Sequence, residues 1–211
     1  MTTLVKICGL STPDTMEAAL KQSADFVGLV FFAKSPRNVT LRQAANLATQ
    51  AKGRAKVVTL VVDADDTLLD AIATDVQPDL IQAHGKETPE RLAVMKKRTG
   101  IPVYKALRVA TVEHVKQASL YTTSPFILYD AMPPEGAALP GGNGLAFDWN
   151  ILENAKTPFM LAGGLTPDNV ADAITKTHAA MVDVSSGVES SPGVKDAGLV
   201  AKFIEAAKAA R

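Results

Sequence analysis

Leu4-Val5-Lys6-Ile7-Cys8-Gly9-Leu10-Ser11-Thr12-Pro13-Asp14 passes from a strand, through a glycine turn, into the start of a helix. Alternation along the run places Leu4, Lys6 and Cys8 on one face and Val5 and Ile7 on the other. Thr12 has the side chain of a helix cap, and Pro13 suits the first helical position because it needs no hydrogen-bonded N–H there. The same order recurs late in the chain, where Phe159 to Ala162 leads into Gly164-Leu165-Thr166-Pro167-Asp168. There Thr166 is expected to cap a helix beginning at Pro167. The echo is short and reads as two βα loops converging on one capping chemistry.

Short apolar or β-branched runs continue at even intervals between these ends: Phe26 to Phe31, Lys56 to Val62, Leu80 to Ala83, Val103 to Leu107 and Phe126 to Asp130, with Ala180 to Val184 as the last. Segments of helical spacing separate them, such as Leu41, Ala44, Ala45, Leu47 and Ala48, or Leu199, Val200, Phe203, Ile204 and Ala207. A strand followed by a helix eight times implies a parallel sheet with right-handed crossovers. The expectation is an α/β fold, a single (β/α)8 TIM barrel over residues 1–211, with an open doubly wound sheet as the competing topology.

Composition narrows the function classes. Of 211 residues, 47% are hydrophobic and 21% charged, and Lys plus Arg equals Asp plus Glu at 22 each, as in a soluble globular domain without a nucleic-acid partner. No run approaches the roughly 18 apolar residues of a membrane span, and no signal-peptide core opens the chain, so no membrane partner and a cytoplasmic location are expected. Cys8 is the single cysteine, and His84, His114 and His178 are scattered without metal-ligand spacing. The chemistry is therefore expected from organic side chains and backbone dipoles, with no cofactor and no metal. Balanced charge and the lack of an apolar stripe favour a monomer over a homodimer. Met132 to Gly144 is a long loop rich in Pro and Gly.

Chemistry-bearing residues fall at strand ends. Cys8 ends the first strand and Asp130 the sixth, both on inward faces, and a closed ring sets these strands three steps apart across the mouth, where such barrels hold their catalytic groups. Either residue alone has a simpler reading, Cys8 as a small core hydrophobe and Asp130 as a loop cap. Together they suit a proton-transfer pair flanking a small substrate. Gly163-Gly164 and Ser185-Ser186-Gly187 follow the seventh and eighth strands, where turns of these barrels bind phosphate through backbone N–H groups, and a short helix after Gly187 would add its positive end. Arg37, in the loop after the second strand, offers a fork for a carboxylate. Lys6 and Asp183 point inward on adjacent strands, as do Gln82 and His84. A Lys6–Asp183 ion pair is the structural reading, and Lys6 would also favour the Cys8 thiolate.

Eight segments then resemble, in order, the motifs of the phosphoribosylanthranilate isomerase family: Val5-Lys6-Ile7-Cys8-Gly9-Leu10, Ser35-Pro36-Arg37, Gln82-Ala83-His84-Gly85, Leu128-Tyr129-Asp130-Ala131, Gly141-Gly142-Asn143-Gly144, Phe147-Asp148-Trp149, Leu161-Ala162-Gly163-Gly164-Leu165 and Asp183-Val184-Ser185-Ser186-Gly187-Val188-Glu189. The resemblance implies a (β/α)8 enzyme of tryptophan biosynthesis that takes a small phosphoribosyl substrate through an Amadori rearrangement without a cofactor. It implies Cys8 as general base and Asp130 as general acid, the first partly ionised and the second partly protonated. Arg37 matches the residue holding the anthranilate carboxylate. Gly163, Gly164, Ser186 and Gly187 match the phosphate turns, Asp183 joins the expected substrate-binding set, and Gly141 to Gly144 match a loop over the substrate.

Two positions depart from the family pattern. Ala83 stands where leucine is usual, and Asn143 where threonine or serine is commoner; neither is the acid or the base. Two other classes fit a barrel with a phosphate site: a Schiff-base aldolase using Lys6 or Lys105, and a non-catalytic phosphometabolite-binding barrel. The first leaves Cys8 unexplained, and the second leaves the Cys8 and Asp130 pair without a role.

Overall fold

Eight parallel strands close into a ring in chain order: β1 (Leu4–Cys8), β2 (Phe26–Phe31), β3 (Lys56–Val61), β4 (Leu80–Ala83), β5 (Val103–Val109), β6 (Ile127–Ala131), β7 (Phe159–Leu161) and β8 (Met181–Val184). This computed structural model describes residues 2–132, 144, 147–155 and 158–210. Pairing of β8 with β1, Lys6 opposite Asp183, completes the barrel and excludes the open sheet. Residues 141–143 of the glycine loop, Asn143 among them, and most of the long loop from Met132 to Gly144 lie outside the described residues.

Helix entry follows the chemistry of the caps. Thr12 and Thr15 form a reciprocal capping box at α1 (Pro13–Lys21), and Thr40 and Gln43 form another at α2 (Leu41–Ala51). Asp65 caps α3 (Asp66–Ala71), which runs into a π-helical turn over Ile72–Val76. Thr88 and Pro89 open α4 (Pro89–Thr99), and Gly100 ends it at φ 71°. The remaining helices are α5 (Val112–Lys116), α6 (Val170–Thr177) and α7 (Ala197–Ala209), the last capped by Asp196.

Three local expectations are corrected. Thr166 does not cap a helix at Pro167, because Asn169 folds back, accepting the Thr166 N–H at 2.8 Å and donating to the Gly164 carbonyl at 3.0 Å, and α6 starts only at Val170. Between β6 and β7 the described residues form a 3-10 turn over Trp149–Leu152, with Asp148 accepting the Asn150 N–H, instead of an eighth α-helix. After β8, Ser186–Val188 is one 3-10 turn that leads into a hairpin of β9 (Glu189–Ser191) and β10 (Val194–Lys195), in place of the helix expected after Gly187. That hairpin is held by Glu189, whose carboxylate is taken by partners on both sides.

Strand parity divides the core in two. Outward residues such as Val5, Ile7, Val27, Leu29, Ile81 and Val182 join the helices in the larger cluster, and Ala83 lies here, fully buried. Each large side chain buried in this way contributes about 1.5–3 kcal/mol. Inward, Val58, Tyr104, Ala106, Leu128, Met160, Ala162 and Met181 plug the barrel, with the Tyr104 and Phe126 rings 4.5 Å apart. Above the plug, Lys6, Gln82, Asp130 and Asp183 stand towards the C-terminal ends of the strands.

Candidate active site

Cys8 ends β1 pointing inward and only 3% exposed, and Asp130 sits on β6 in the same orientation at 5%. The β7 and β8 turns lie between them in the ring. Gly163 is left-handed at φ 87°, and a β-carbon there would stand 2.5 Å from the Ala131 nitrogen and 3.0 Å from Asp130 Oδ1. The glycine thus makes room for the carboxylate as well as opening its own backbone. Asp130 Oδ1 accepts the Ala131 N–H at 2.9 Å, which fixes the carboxyl plane.

Lys6 is fully buried beneath the thiol and donates to Asp183 Oδ1 at 2.9 Å. Burial works against the Lys6 charge, but Asp183 and then Cys8 overturn it and hold the ammonium well above its ordinary range. Burial likewise pushes the Cys8 thiol up, and the cation of Lys6 offsets this only in part. The arrangement is a strained compromise in electrostatic terms: a thiol that resists ionising, with Lys6 and, more weakly, Lys195 placed to help it. The expected Lys6–Asp183 pair is present, and it commits Asp183 to the lysine.

Arg37 is buried, its stem lying over Gly9, where a β-carbon would meet Cδ at 2.5 Å. Its Nε and Nη2 donate to the two oxygens of Glu189 at 2.7 and 2.8 Å, which leaves the Nη1 edge outside that pair. Lys195 donates to the same carboxylate at 2.5 Å and to the Ser185 carbonyl at 2.9 Å, while the Ser185 hydroxyl donates to the Cys8 carbonyl at 3.2 Å. Arg37 is therefore tied through the β9–β10 hairpin to the turn beside the thiol.

The turns after β7 and β8 pack against each other. Gly163 and Gly164 are both left-handed, Gly187 packs its Cα against the Leu165 carbonyl too closely for any side chain, and an ideal β-carbon at Gly144 would lie 3.9 Å from Ser186 Oγ. Asn169 pins the Gly164 turn from below.

Several residues here take roles that the motifs alone did not assign. Glu189 and Lys195 complete the Arg37 anchor; Asn169 holds a turn; Gly28 faces Cys8 in register. Arg108 points inward on β5, half-buried, and donates to the His84 carbonyl at 3.1 Å. The alternation of Val103 to Leu107, continued along β5 to Val109, is the signal that finds it. Lys105, by contrast, faces Glu87 at 2.8 Å and the Gly85 carbonyl at 2.7 Å, so it is a structural tie. Lys6 is held as an ammonium, and although burial brings the Lys105 pKa down, its amine is engaged by Glu87 and the Gly85 carbonyl, so neither lysine is placed as a free Schiff-base amine.

Among the described residues no His, Cys, Asp or Glu cluster is grouped to hold a metal ion, and no helix is long and apolar enough to cross a membrane. An open groove of about 750 Å³ lies at the opposite end of the barrel, lined by residues such as Asp25, Lys56, Asp79 and Lys208. Within its wall Lys56 pairs with Asp79 and Lys208 with Asp25, while Arg54 pairs with Glu17 outside it.

Comparison with known proteins shows the family of the chain. The family model for N-(5'phosphoribosyl)anthranilate (PRA) isomerase matches residues 5–206. A protein of that name from Rhodopseudomonas palustris (strain BisA53) is 55% identical over 208 residues, covering 97% of this chain and 95% of its own. The crystal structure of the Thermotoga maritima phosphoribosyl anthranilate isomerase superposes with a TM-score of 0.88 at 32% identity, over 98% of each chain. A phosphoribosyl anthranilate isomerase structure in complex with reduced 1-(o-carboxyphenylamino)-1-deoxyribulose 5-phosphate gives a TM-score of 0.85 at 31% identity, again over 98% of each chain.

Proposed function

The chain belongs to the N-(5'-phosphoribosyl)anthranilate isomerase family, enzymes of tryptophan biosynthesis, and from that premise we propose that Cys8 and Asp130 carry out its isomerisation as an Amadori rearrangement. The observation that supports this most directly is their placement: one thiol and one carboxyl, both inward at C-terminal strand ends, with the glycine turns of β7 and β8 between them.

In this reading the phosphate of the substrate sits on the turns of Gly163, Gly164, Ser186 and Gly187, and Asp183 serves the site through Lys6. The Nη1 edge of Arg37 receives the anthranilate carboxylate while Glu189 holds the other edge. Asp130 gives its proton to the furanose oxygen, the C1–O bond breaks, and the nitrogen lone pair forms an iminium. The Cys8 thiolate then takes the C2 proton, and those electrons form the C1–C2 double bond as the nitrogen regains its pair. The enol-amine tautomerises to the ketone. One turnover leaves Cys8 protonated and Asp130 ionised, and exchange with solvent restores both.

Decay of anthranilate fluorescence with freshly made phosphoribosylanthranilate tests the reading. Cys8→Ser and Asp130→Asn are each expected to lower turnover by roughly 10² to 10⁴-fold. Wild-type rates in both variants would sink the assignment. The enzyme is proposed to act in the cytoplasm as a monomer: its exposed large apolar side chains, such as Val94, Leu120 and Val194, are dispersed over separate elements. Light scattering checks the mass.

A further inference from the structure

Beneath the mouth, a chain of buried polar groups that the reaction above does not use leads from β5 through β4 to Asp130. The Tyr104 hydroxyl donates to Gln82 Oε1 at 2.7 Å, and Gln82 Nε2 lies 2.8 Å from His84 Nδ1. Burial pushes the Tyr104 phenol well up, so it stays protonated and remains a donor. With its oxygen occupied by that hydroxyl, Gln82 has only its NH2 group to offer the imidazole. His84 Nδ1 is then an acceptor, and the neutral ring carries its proton on Nε2. His84 Nε2 lies 3.2 Å from Asp130 Oδ2, buried and not aligned with a hydrogen-bond partner.

We propose that His84 is a positioning residue for Asp130, a neutral Nε2–H donor set in that tautomer by Gln82 and Tyr104, which closes on Oδ2 as the Asp130 proton leaves for the sugar oxygen. The inference rests on Asp130 being the proton donor. Among the described residues a carboxylate formed in this buried place has the Ala131 N–H on Oδ1 as a donor, and its second oxygen needs another. The Nε2–H is the group within reach, and catalytic hydrogen bonds that are loose at rest tighten as the reaction proceeds. A cationic imidazole would set its Nδ1–H against the Gln82 NH2, which favours the neutral ring. Gln82 orients the ring and does not conduct, since an amide passes a proton only by becoming its imidic acid.

The surroundings fit this role. Arg108, opposite Asp130 in the β5–β6 register, holds the His84 carbonyl at 3.1 Å and fixes the backbone from which the ring projects. The turn after β7 brings Gly163 against Oδ1. Across the barrel the charged or titratable groups are Lys6 and Cys8 on β1 and Asp183 on β8, with Tyr104 on β5 beneath.

Nitrogen-15 NMR of the imidazoles, with His84 assigned by its loss in His84→Gln, reads the tautomer directly. The expected result is an unprotonated Nδ1 and a protonated Nε2 near neutral pH; the opposite tautomer or a cation overturns the proposal. In turnover assays His84→Leu is expected to lower kcat by ~10- to 100-fold, the worth of one hydrogen bond to a charged group, with KM nearly unchanged. His84→Gln places an amide N–H near the Nε2 position and should recover most of that loss. In the Asp130→Asn background His84→Leu should cost nothing more. Equal loss in the Leu and Gln variants, or full additivity with Asp130→Asn, overturns the proposal. Full activity of His84→Leu with a crippled Asp130→Asn overturns it alone, whereas full activity of Asp130→Asn overturns the acid assignment and this inference with it.

Discussion

Gly28 and Cys8 share one small space inside the barrel: a β-carbon on Gly28 would stand 2.9 Å from Cys8 Sγ, 3.0 Å from its Cα and 3.1 Å from Lys6 Nζ. The two residues are register partners on β1 and β2, so neither backbone can retreat without breaking strand pairing. Gly28→Ala is therefore expected to displace the thiol and its lysine. Turnover should fall at least ~10-fold and stability by about 1–3 kcal/mol, the cost of overpacking, as measured by assay and urea unfolding.

The Cys8 thiol titrates above its ordinary value because it is buried, and Lys6 draws it back only partly. A base works when deprotonated, so turnover should climb with pH through an interval displaced above the roughly 8.5 of a free thiol. Since Cys8 is the sole cysteine, ultraviolet absorbance of the thiolate gives its titration without ambiguity. Lys6→Met removes the helping cation, so the midpoint should move higher still and turnover near neutrality should drop further. A midpoint at or below the free-thiol value would contradict this account.

Glu189 is buried between Arg37 and Lys195; burial raises its pKa, but the Arg37 fork and Lys195 overturn this and bring it from 4.5 down to about 2. Between those two values the folded carboxylate is ionised while the unfolded one is protonated. The unfolded state thus binds more protons, and stability should decline as pH falls from about 4.5 towards 2. Glu189→Gln should flatten that part of the curve and, by leaving two buried cations uncompensated, cost about 3 kcal/mol at neutral pH. Urea midpoints across pH for both proteins check the sign and the size.

Thr59 lies fully buried on the outer face of β3, and its hydroxyl has no hydrogen-bond partner among the described residues. An unpaired buried hydroxyl destabilises, and valine keeps the branched shape without it. Thr59→Val should stabilise the fold by about 1 kcal/mol, seen as a higher urea midpoint at an unchanged slope. A loss of stability would show that the hydroxyl is satisfied in solution.

Alternation along the strands was enough to place Lys6, Cys8, Gln82, His84, Asp130 and Asp183 on inward faces, and the structure puts each of them there. Capping chemistry was reliable at Thr12 and misleading at Thr166, where Asn169 captures the turn first. The helix expected after Gly187 fails for a similar reason: Glu189 is drawn to Arg37, far away in the chain, and the segment extends into a hairpin. A capping signal loses wherever another group, near in the chain as Asn169 is or distant as Arg37 is, takes the segment first.

By itself, the sequence determined the strand number, the parity of each strand and the motifs of the family, because periodicity and cap residues act within a few positions of the chain. Only tertiary structure decided which polar groups meet. Closure of the ring set Lys6 beside Asp183 and Cys8 beside Gly28; the hairpin after β8 delivered Glu189 and Lys195 to Arg37; and stacked strands built the Tyr104–Gln82–His84 chain under Asp130. Such contacts depend on register between strands far apart in sequence, and in a buried barrel mouth that register sets each group's charge and its direction.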